Sequence, residues 1–242
     1  KIMGTIKQGI LGGISGRVGT VVGSTWKSVH YMRALAVSTN DAKTEKQLCQ
    51  RGKFSTALNF LKSMTPFVRI GYQNYTKDQS AFNAAMSYML KNAVKGCSVN
   101  TIIDYEKALV ARGNLATALD ATVTVTGNKA SYVWTDNSGT GDAQTTDTAM
   151  LLAYNKNKKE AVYNVNSATR SKAKAELALP ASWSDDALAV YLSFYSTASR
   201  DVANSVCLKN DAFSGDSGDD NPDQGGSGSG GSDGDQGENP LG

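Results

Sequence analysis

Apolar and polar positions change rhythm twice along the chain. Over the first 35 positions glycine punctuates the apolar residues, with Gly4, Gly9, Gly12, Gly13, Gly16, Gly19 and Gly23 set among Val18, Val21, Val22, Trp26, Val29, Tyr31 and Met32. The β-branched and aromatic residues on either side of Gly23-Ser24 predict a β-hairpin in which 17–22 pairs with 26–33. The 6–16 segment holds too much glycine for a stable isolated helix. It is expected to order against a partner chain or against the rest of the fold.

From residue 44 the period becomes helical. Thr44-Glu45-Lys46-Gln47 fits a capping box, and Leu48, Phe54, Leu58 and Leu61 recur at near-helical spacing up to Met64. Thr65-Pro66 restarts a helix whose buried face is Phe67, Ile70 and Tyr72, with Gly71 weakening it. Ser80 caps a further helix through Phe82, Ala85, Met86, Met89 and Leu90 to about Val94. Residues 105–111 read as a strand that breaks at Gly113-Asn114.

Beyond that point short strands alternate with turns: 121–125, 130–135, 149–155, 161–165, 173–179, 188–196 and 205–209. Residues 136–142 form a long turn and Asn155-Lys156-Asn157-Lys158 a shorter one. Seven such strands predict an immunoglobulin-like or fibronectin-III-like sandwich. Trp134 on the second strand, Leu179-Pro180 closing the fifth and Tyr191 early in the sixth resemble core landmarks of fibronectin III domains. The paired cysteines of antibody domains are absent from these strands, which favours the fibronectin version. Residues 211–242 are almost all Gly, Ser, Asp, Gln, Asn and Pro, too polar to offset their ordering entropy. The expected class is therefore α+β. An N-terminal β-hairpin plus helices fill a basic region, 1–113, a seven-stranded fibronectin III/Ig-like β-sandwich fills 114–210, and 211–242 is a disordered acidic tail.

Charge sharpens this division. Residues 1–112 carry 16 Lys and Arg against 5 Asp and Glu, 113–210 carry 9 against 9, and 211–242 carry 8 acids and no base. A basic half and an acidic tail imply an anionic partner, or a tail that covers the basic face. No apolar run approaches the roughly 18 residues of a membrane-spanning helix. The opening Lys1-Ile2-Met3-Gly4 leads into glycine-punctuated sequence rather than an apolar secretion signal. The expectation is a soluble chain made in the cytoplasm, with a virion or surface as a destination that its sequence does not fix.

Catalytic equipment is sparse. His30 is the only histidine, which excludes motifs needing two, and it lies between Val29 and Tyr31 in the predicted hairpin. It reads as a partly exposed strand residue. Lys27-Ser28 follows Trp26 rather than the glycine of a phosphate loop, and Gly9, Gly12, Gly13 and Gly16 do not form G-x-G-x-x-G. The 136–142 turn lacks both the D-x-D-x-D-G run and the terminal Glu of a calcium loop, so an inter-strand turn is the better reading and a weak calcium site the alternative. Asp185-Asp186 and Asp219-Asp220 are adjacent pairs, which on a strand point to opposite faces. Cys49, Cys97 and Cys207 are odd in number and lack CxxC spacing, so Cys49 and Cys207 are expected as buried free thiols. No catalytic, cofactor-binding or metal-ligating residue is expected, and no cofactor.

What remains points to binding. Lys7, Arg17, Lys27, Arg33, Lys43, Lys46, Arg51 and Lys53, with Trp26 and Tyr31 among them, offer contacts to nucleic-acid phosphates and bases or to acidic neighbours. The candidate assembly residues are Gly12, Gly16, Arg17, Gly19, Gly23, Trp26, Arg33 and Arg51, the arginines being able to pair bidentately with carboxylates.

The run from Gly9 through Gly-Gly, Ser15-Gly16-Arg17 and Val21-Val22-Gly23 to Trp26-Lys27 and Arg33 resembles the opening of an uncharacterised bacterial family common in Bacteroidetes. Thr44-Glu45-x-Gln47, Arg51 and Phe54, the 81–88 stretch AFNAAMSY, Trp134-Thr135-Asp136-Asn137 and the 202–206 stretch VANSV continue the resemblance over nearly the whole chain except the tail. That family is a domain of unknown function and implies no activity. The Gly/Arg-rich opening with Thr-x-x-Gln, Arg51 and Phe54 also looks like phage proteins of virion or assembly role. The function expected is a non-enzymatic structural or interaction protein, phage- or mobile-element-derived, that self-associates or assembles into a larger particle. The alternative is a nucleic-acid-binding accessory protein acting through the basic half.

Overall fold

The computed structural model describes residues 5–6, 12–26, 29–36, 43–77, 79–97, 100–184 and 186–209. The predicted tail, Lys7, Lys27, Asp185 and Asp219-Asp220 lie outside them. The chain forms two compact units, one of Lys1–Gly52 with Cys97–Val99, the other of Lys53–Gly96 with Asn100–Gly242.

In the first unit β1 (Thr5–Ile6), β2 (Ile14–Val18), β3 (Val21–Trp26) and β4 (Val29–Ala34) form an antiparallel sheet in the order β1-β2-β3-β4. The expected hairpin around Gly23-Ser24 is thus corrected. The turn is Gly19-Thr20, between the paired Val18 and Val21, and β3 continues through Gly23 to pair with β4 as far as Trp26↔Val29. Gly19 sits at φ +58 with open space around it, as the first residue of a tight hairpin turn requires. Gly23 serves a different need: a Cβ there would stand 2.2 Å from the Ile14 carbonyl oxygen, so it permits close strand approach rather than a turn.

Helix α1 (Glu45–Lys62) begins where the capping box predicts, with the Gln47 N–H donating to Thr44 Oγ1 at 3.4 Å. Its buried residues are Ala57, Phe60 and Leu61, while Leu48 and Phe54 are exposed. Leu48 and Ala57 are nine positions apart, which at about 3.6 residues per turn puts them on opposite sides of the helix. Of the expected apolar stripe, Leu58, Leu61 and Met64 join the core, whereas Leu48 and Phe54 stay exposed.

The second unit takes up the chain from residue 53. Helix α2 (Thr65–Gly71) has Pro66 in its first turn and buries Phe67 and Val68. Helix α3 (Ala81–Asn92) starts at Ser80, whose Oγ accepts the Asn83 N–H at 3.2 Å, and buries Ala81, Ala84, Ala85, Met86 and Met89. A two-stranded ribbon, β5 (Val94–Lys95) and β6 (Ile102–Ile103), follows. The strand expected over 105–111 is absent. Asp104 instead starts a turn, its carboxylate accepting the Lys107 N–H and its carbonyl the Ala108 N–H. Val110 and Ala111 are held by Ser205 through its hydroxyl and backbone N–H.

All seven predicted strands form: β7 (Leu119–Thr126), β8 (Lys129–Thr135), β9 (Thr148–Asn155), β10 (Glu160–Thr169), β11 (Lys174–Ala178), β12 (Leu188–Tyr195) and β13 (Val206–Leu208). They make two antiparallel sheets, β11-β8-β7 and β10-β9-β12-β13. Strand β9 is buried from Ala149 onward, and alternate residues serve two cores. Ala149, Leu151 and Ala153 join Tyr132, Trp134 and Leu177 of the three-stranded sheet. Met150, Leu152 and Tyr154 join Phe60, Phe67 and Met89 of the helices. Strand β12 divides likewise, with Trp134 meeting Phe194 edge-on at 5.5 Å. A sheet covered on both faces explains why β9 and β12 read as continuous apolar runs rather than alternating ones.

Candidate interaction surface

Residues paired across an antiparallel sheet share a face, and neighbours along a strand alternate. The pairs Arg17↔Val22↔Arg33, Ser24↔Tyr31 and Trp26↔Val29 therefore place Arg17, Arg33, Trp26, Tyr31 and Val29 on one side of the β2–β4 sheet. Val18, Val21, His30, Met32 and the glycine pair Gly16↔Gly23 occupy the other. Apolar side chains stand exposed on both sides: Trp26 60%, Val29 65% and Tyr31 44% on the first, Val18 51% and Met32 65% on the second. Strand β4 is exposed at all six residues and ends the sheet, so its outer edge has no strand partner among the described residues.

The sequence-derived candidates separate accordingly. Arg17, Trp26 and Arg33 are brought onto one face, Arg17 donating from Nε to the Gly19 carbonyl at 3.1 Å. Gly16, Gly19 and Gly23 shape the strands and their turn, and Gly12 stands half-buried before β2. Arg51 lies on α1, outside the sheet, and is engaged in an interaction of its own. Val18, Val21, Val29 and Met32 were absent from the candidate set. Their signal was present in β4, where Val29-His30-Tyr31-Met32 puts apolar groups on both faces instead of alternating them with polar ones.

His30 is exposed, and its Nδ1 lies 2.8 Å from Thr25 Oγ1, across the β3–β4 pairing. The cysteines overturn their expectation: Cys49 and Cys97 form a disulfide with Cα atoms 4.6 Å apart. Cys207 is the free thiol, half-buried, its pKa pushed up to about 11 chiefly by burial. The odd count hid a pair plus a remainder, because Cys97, just after β5, is brought back to Cys49 near the start of α1. In the 136–142 turn Asp136 Oδ1 accepts the Ser138 hydroxyl and the Ser138 N–H, and these contacts, the hydroxyl first, hold its carboxyl below the usual range. Asp186 is tied to Lys158 at 2.8 Å and to Asn155 and Asn157. Among the described residues no three His, Cys, Asp or Glu side chains gather as a metal-holding group, and no helix is long and apolar enough to cross a membrane.

Cavities open in the second unit. One of about 270 Å³ is bordered by Tyr105, Tyr154, Lys156 and Lys159, with Lys156 Nζ 4.9 Å from the centre of the Tyr105 ring. Another, about 340 Å³, is bordered by Tyr72, Tyr75, Tyr88, Lys91 and Arg112. Both offer cations, hydroxyls and amides, the chemistry of anion binding.

With this geometry in view, residues 13–209 match the model of DUF6266, a family of unknown function. The chain belongs to DUF6266. The family match takes in strands β2 to β4, the helices and both sheets of the second unit, and stops before the acidic tail. No curated protein and no solved structure matches this DUF6266 chain.

Proposed function

We propose that this DUF6266 protein is a non-enzymatic structural protein that self-associates through its β2–β4 sheet, as a virion, assembly or surface component. The carrying observation is the apolar side chains exposed on both faces of that sheet, together with a β4 edge that has no strand partner among the described residues. A small sheet with water on both sides is marginally stable, and exposed apolar area of this kind is characteristic of an interface. The partner that fits is a second copy. Two β4 edges paired antiparallel give a closed two-fold contact that continues the sheet and satisfies both rows of backbone groups. The Cys49–Cys97 disulfide supports a working place in oxidising surroundings, such as a particle or cell surface.

The second unit supports a display role. Its strands divide into a three-stranded and a four-stranded sheet, and the fourth strand, β10, pairs with the third, β9, rather than with the fifth. That order favours a fibronectin III-like sandwich over a constant-type immunoglobulin one. Size exclusion with light scattering over a range of concentration tests self-association: a defined oligomer supports it, and a monomer throughout defeats it.

One observation favours a second reading. Arg17, Arg33, Trp26 and Tyr31 share a face, the mixture of cations and stacking rings with which sheets bind single-stranded nucleic acid. Such binding would weaken steeply with salt and strengthen on removal of the acidic residues 211–242. No binding at low salt by the shortened chain would eliminate it.

A further inference from the structure

The Arg112 guanidinium carbon lies 4.7 Å from the centre of the Tyr75 ring and 5.4 Å from that of Tyr88. Two elements supply these rings, the turn after α2 and helix α3, while the Arg112 backbone N–H is anchored on the Gly71 carbonyl at 2.9 Å. The side chain is half-buried at the 340 Å³ cavity, and Lys91 adds a second cation to the wall. Among the described residues no carboxylate pairs with Arg112, whereas the fully buried Arg170 has Asp147. A partly desolvated guanidinium between rings attracts an anion more strongly than one in bulk water. Stacking with the rings uses the group's π system and leaves its N–H donors, which lie in its plane, for a ligand. That fork matches the two oxygens of a carboxylate. Ser87 and Gln79 add neutral hydrogen-bonding groups, and the volume admits a molecule about the size of a monosaccharide.

We infer that this cavity binds a small hydroxylated carboxylate of the sugar-acid class, with Arg112 holding the carboxylate, Lys91 adding to the field and Ser87 and Gln79 meeting hydroxyls. The site draws no residue from the β2–β4 sheet, so its failure would leave the self-association reading intact.

Two-dimensional amide NMR on the full chain tests it, with D-glucuronate as the probe and D-glucose and inorganic phosphate as controls. Glucuronate is expected to give saturable shifts at Tyr75, Tyr88, Lys91 and Arg112, with no response to glucose. Arg112→Lys keeps the charge but loses the fork and should weaken binding at least about tenfold. Lys91→Gln, an exposed position that should leave folding intact, should weaken it about two- to threefold. The inference is overturned by no saturation with glucuronate, by equal shifts with glucose, by tighter binding of phosphate, or by unchanged affinity in Arg112→Lys.

Discussion

Arg170 and Asp147 form an ion pair with neither side chain exposed, Nε to Oδ2 at 3.2 Å. The rest of the guanidinium is satisfied by Asn137 Oδ1 at 2.7 Å and the Ala116 carbonyl at 3.0 Å, and its carbon lies 3.8 Å from the centre of the Phe194 ring. Burial lowers the Arg170 pKa, and the Asp147 charge opposes that effect. Through the Arg170 carbonyl the same residue accepts the Trp134 indole N–H at 2.9 Å. The pair thus ties the 136–142 turn and the end of β10 to the core around Trp134 and Phe194.

Removing one partner strands the other charge in the interior. Arg170→Met should cost about 3–5 kcal/mol, whereas Arg170→Met with Asp147→Leu should cost clearly less than the two single changes added together. Urea unfolding midpoints provide the measurement. A loss under about 1 kcal/mol for Arg170→Met would show that the pair is not what holds this corner.

Asp186 gives a pH signature. Its hydrogen bond from Lys158 leads the contacts, with Asn155 and Asn157, that lower its pKa from 3.8 to about 2. A depressed folded value means that the contribution is complete above the unfolded value and disappears as pH falls through the folded one. Wild-type and Asp186→Asn melting temperatures should therefore differ at about pH 5 and converge toward about pH 2. A constant difference across that range would refute the assignment.

The cysteines can be counted. Denatured, unreduced protein should show one thiol to Ellman's reagent, and reduced protein all three. In the native state at mild alkaline pH, Cys207 should react slowly, since burial keeps its pKa up near 11. Cys49→Ser with Cys97→Ser should lower stability by about 2–4 kcal/mol, as expected for opening a loop of this length. Three thiols without reductant would remove the disulfide from the account.

The sequence made local features legible and left distant ones hidden. Ser80, Pro66 and the Thr44 box marked helix starts because capping is settled within one turn. The seven strands were readable from β-branched runs between turn residues, and α+β followed from them. Gly23 misled because turns and close strand approach call for the same residue, and only the position of Ile14 distinguishes them. The helix layer over β9 and β12 was missed because Met150, Leu152 and Tyr154 look, in sequence, like any core residues. Arg112, Tyr75 and Tyr88 meet only through tertiary packing, and no local pattern announces them. Trp26, Arg17 and Arg33 were identifiable as candidates, but their common face required the register.

Self-association through β2–β4 is tested most directly by light scattering after size exclusion. The comparison is the full chain against Trp26→Ser/Val29→Thr/Met32→Ser, three positions exposed in the single chain. The wild type is expected to elute as a defined oligomer that persists at about 1 M salt, where charge contacts are screened within about 3 Å, and the triple variant as a monomer. A wild type that stays monomeric at every concentration, or a variant that assembles equally well, would contradict it.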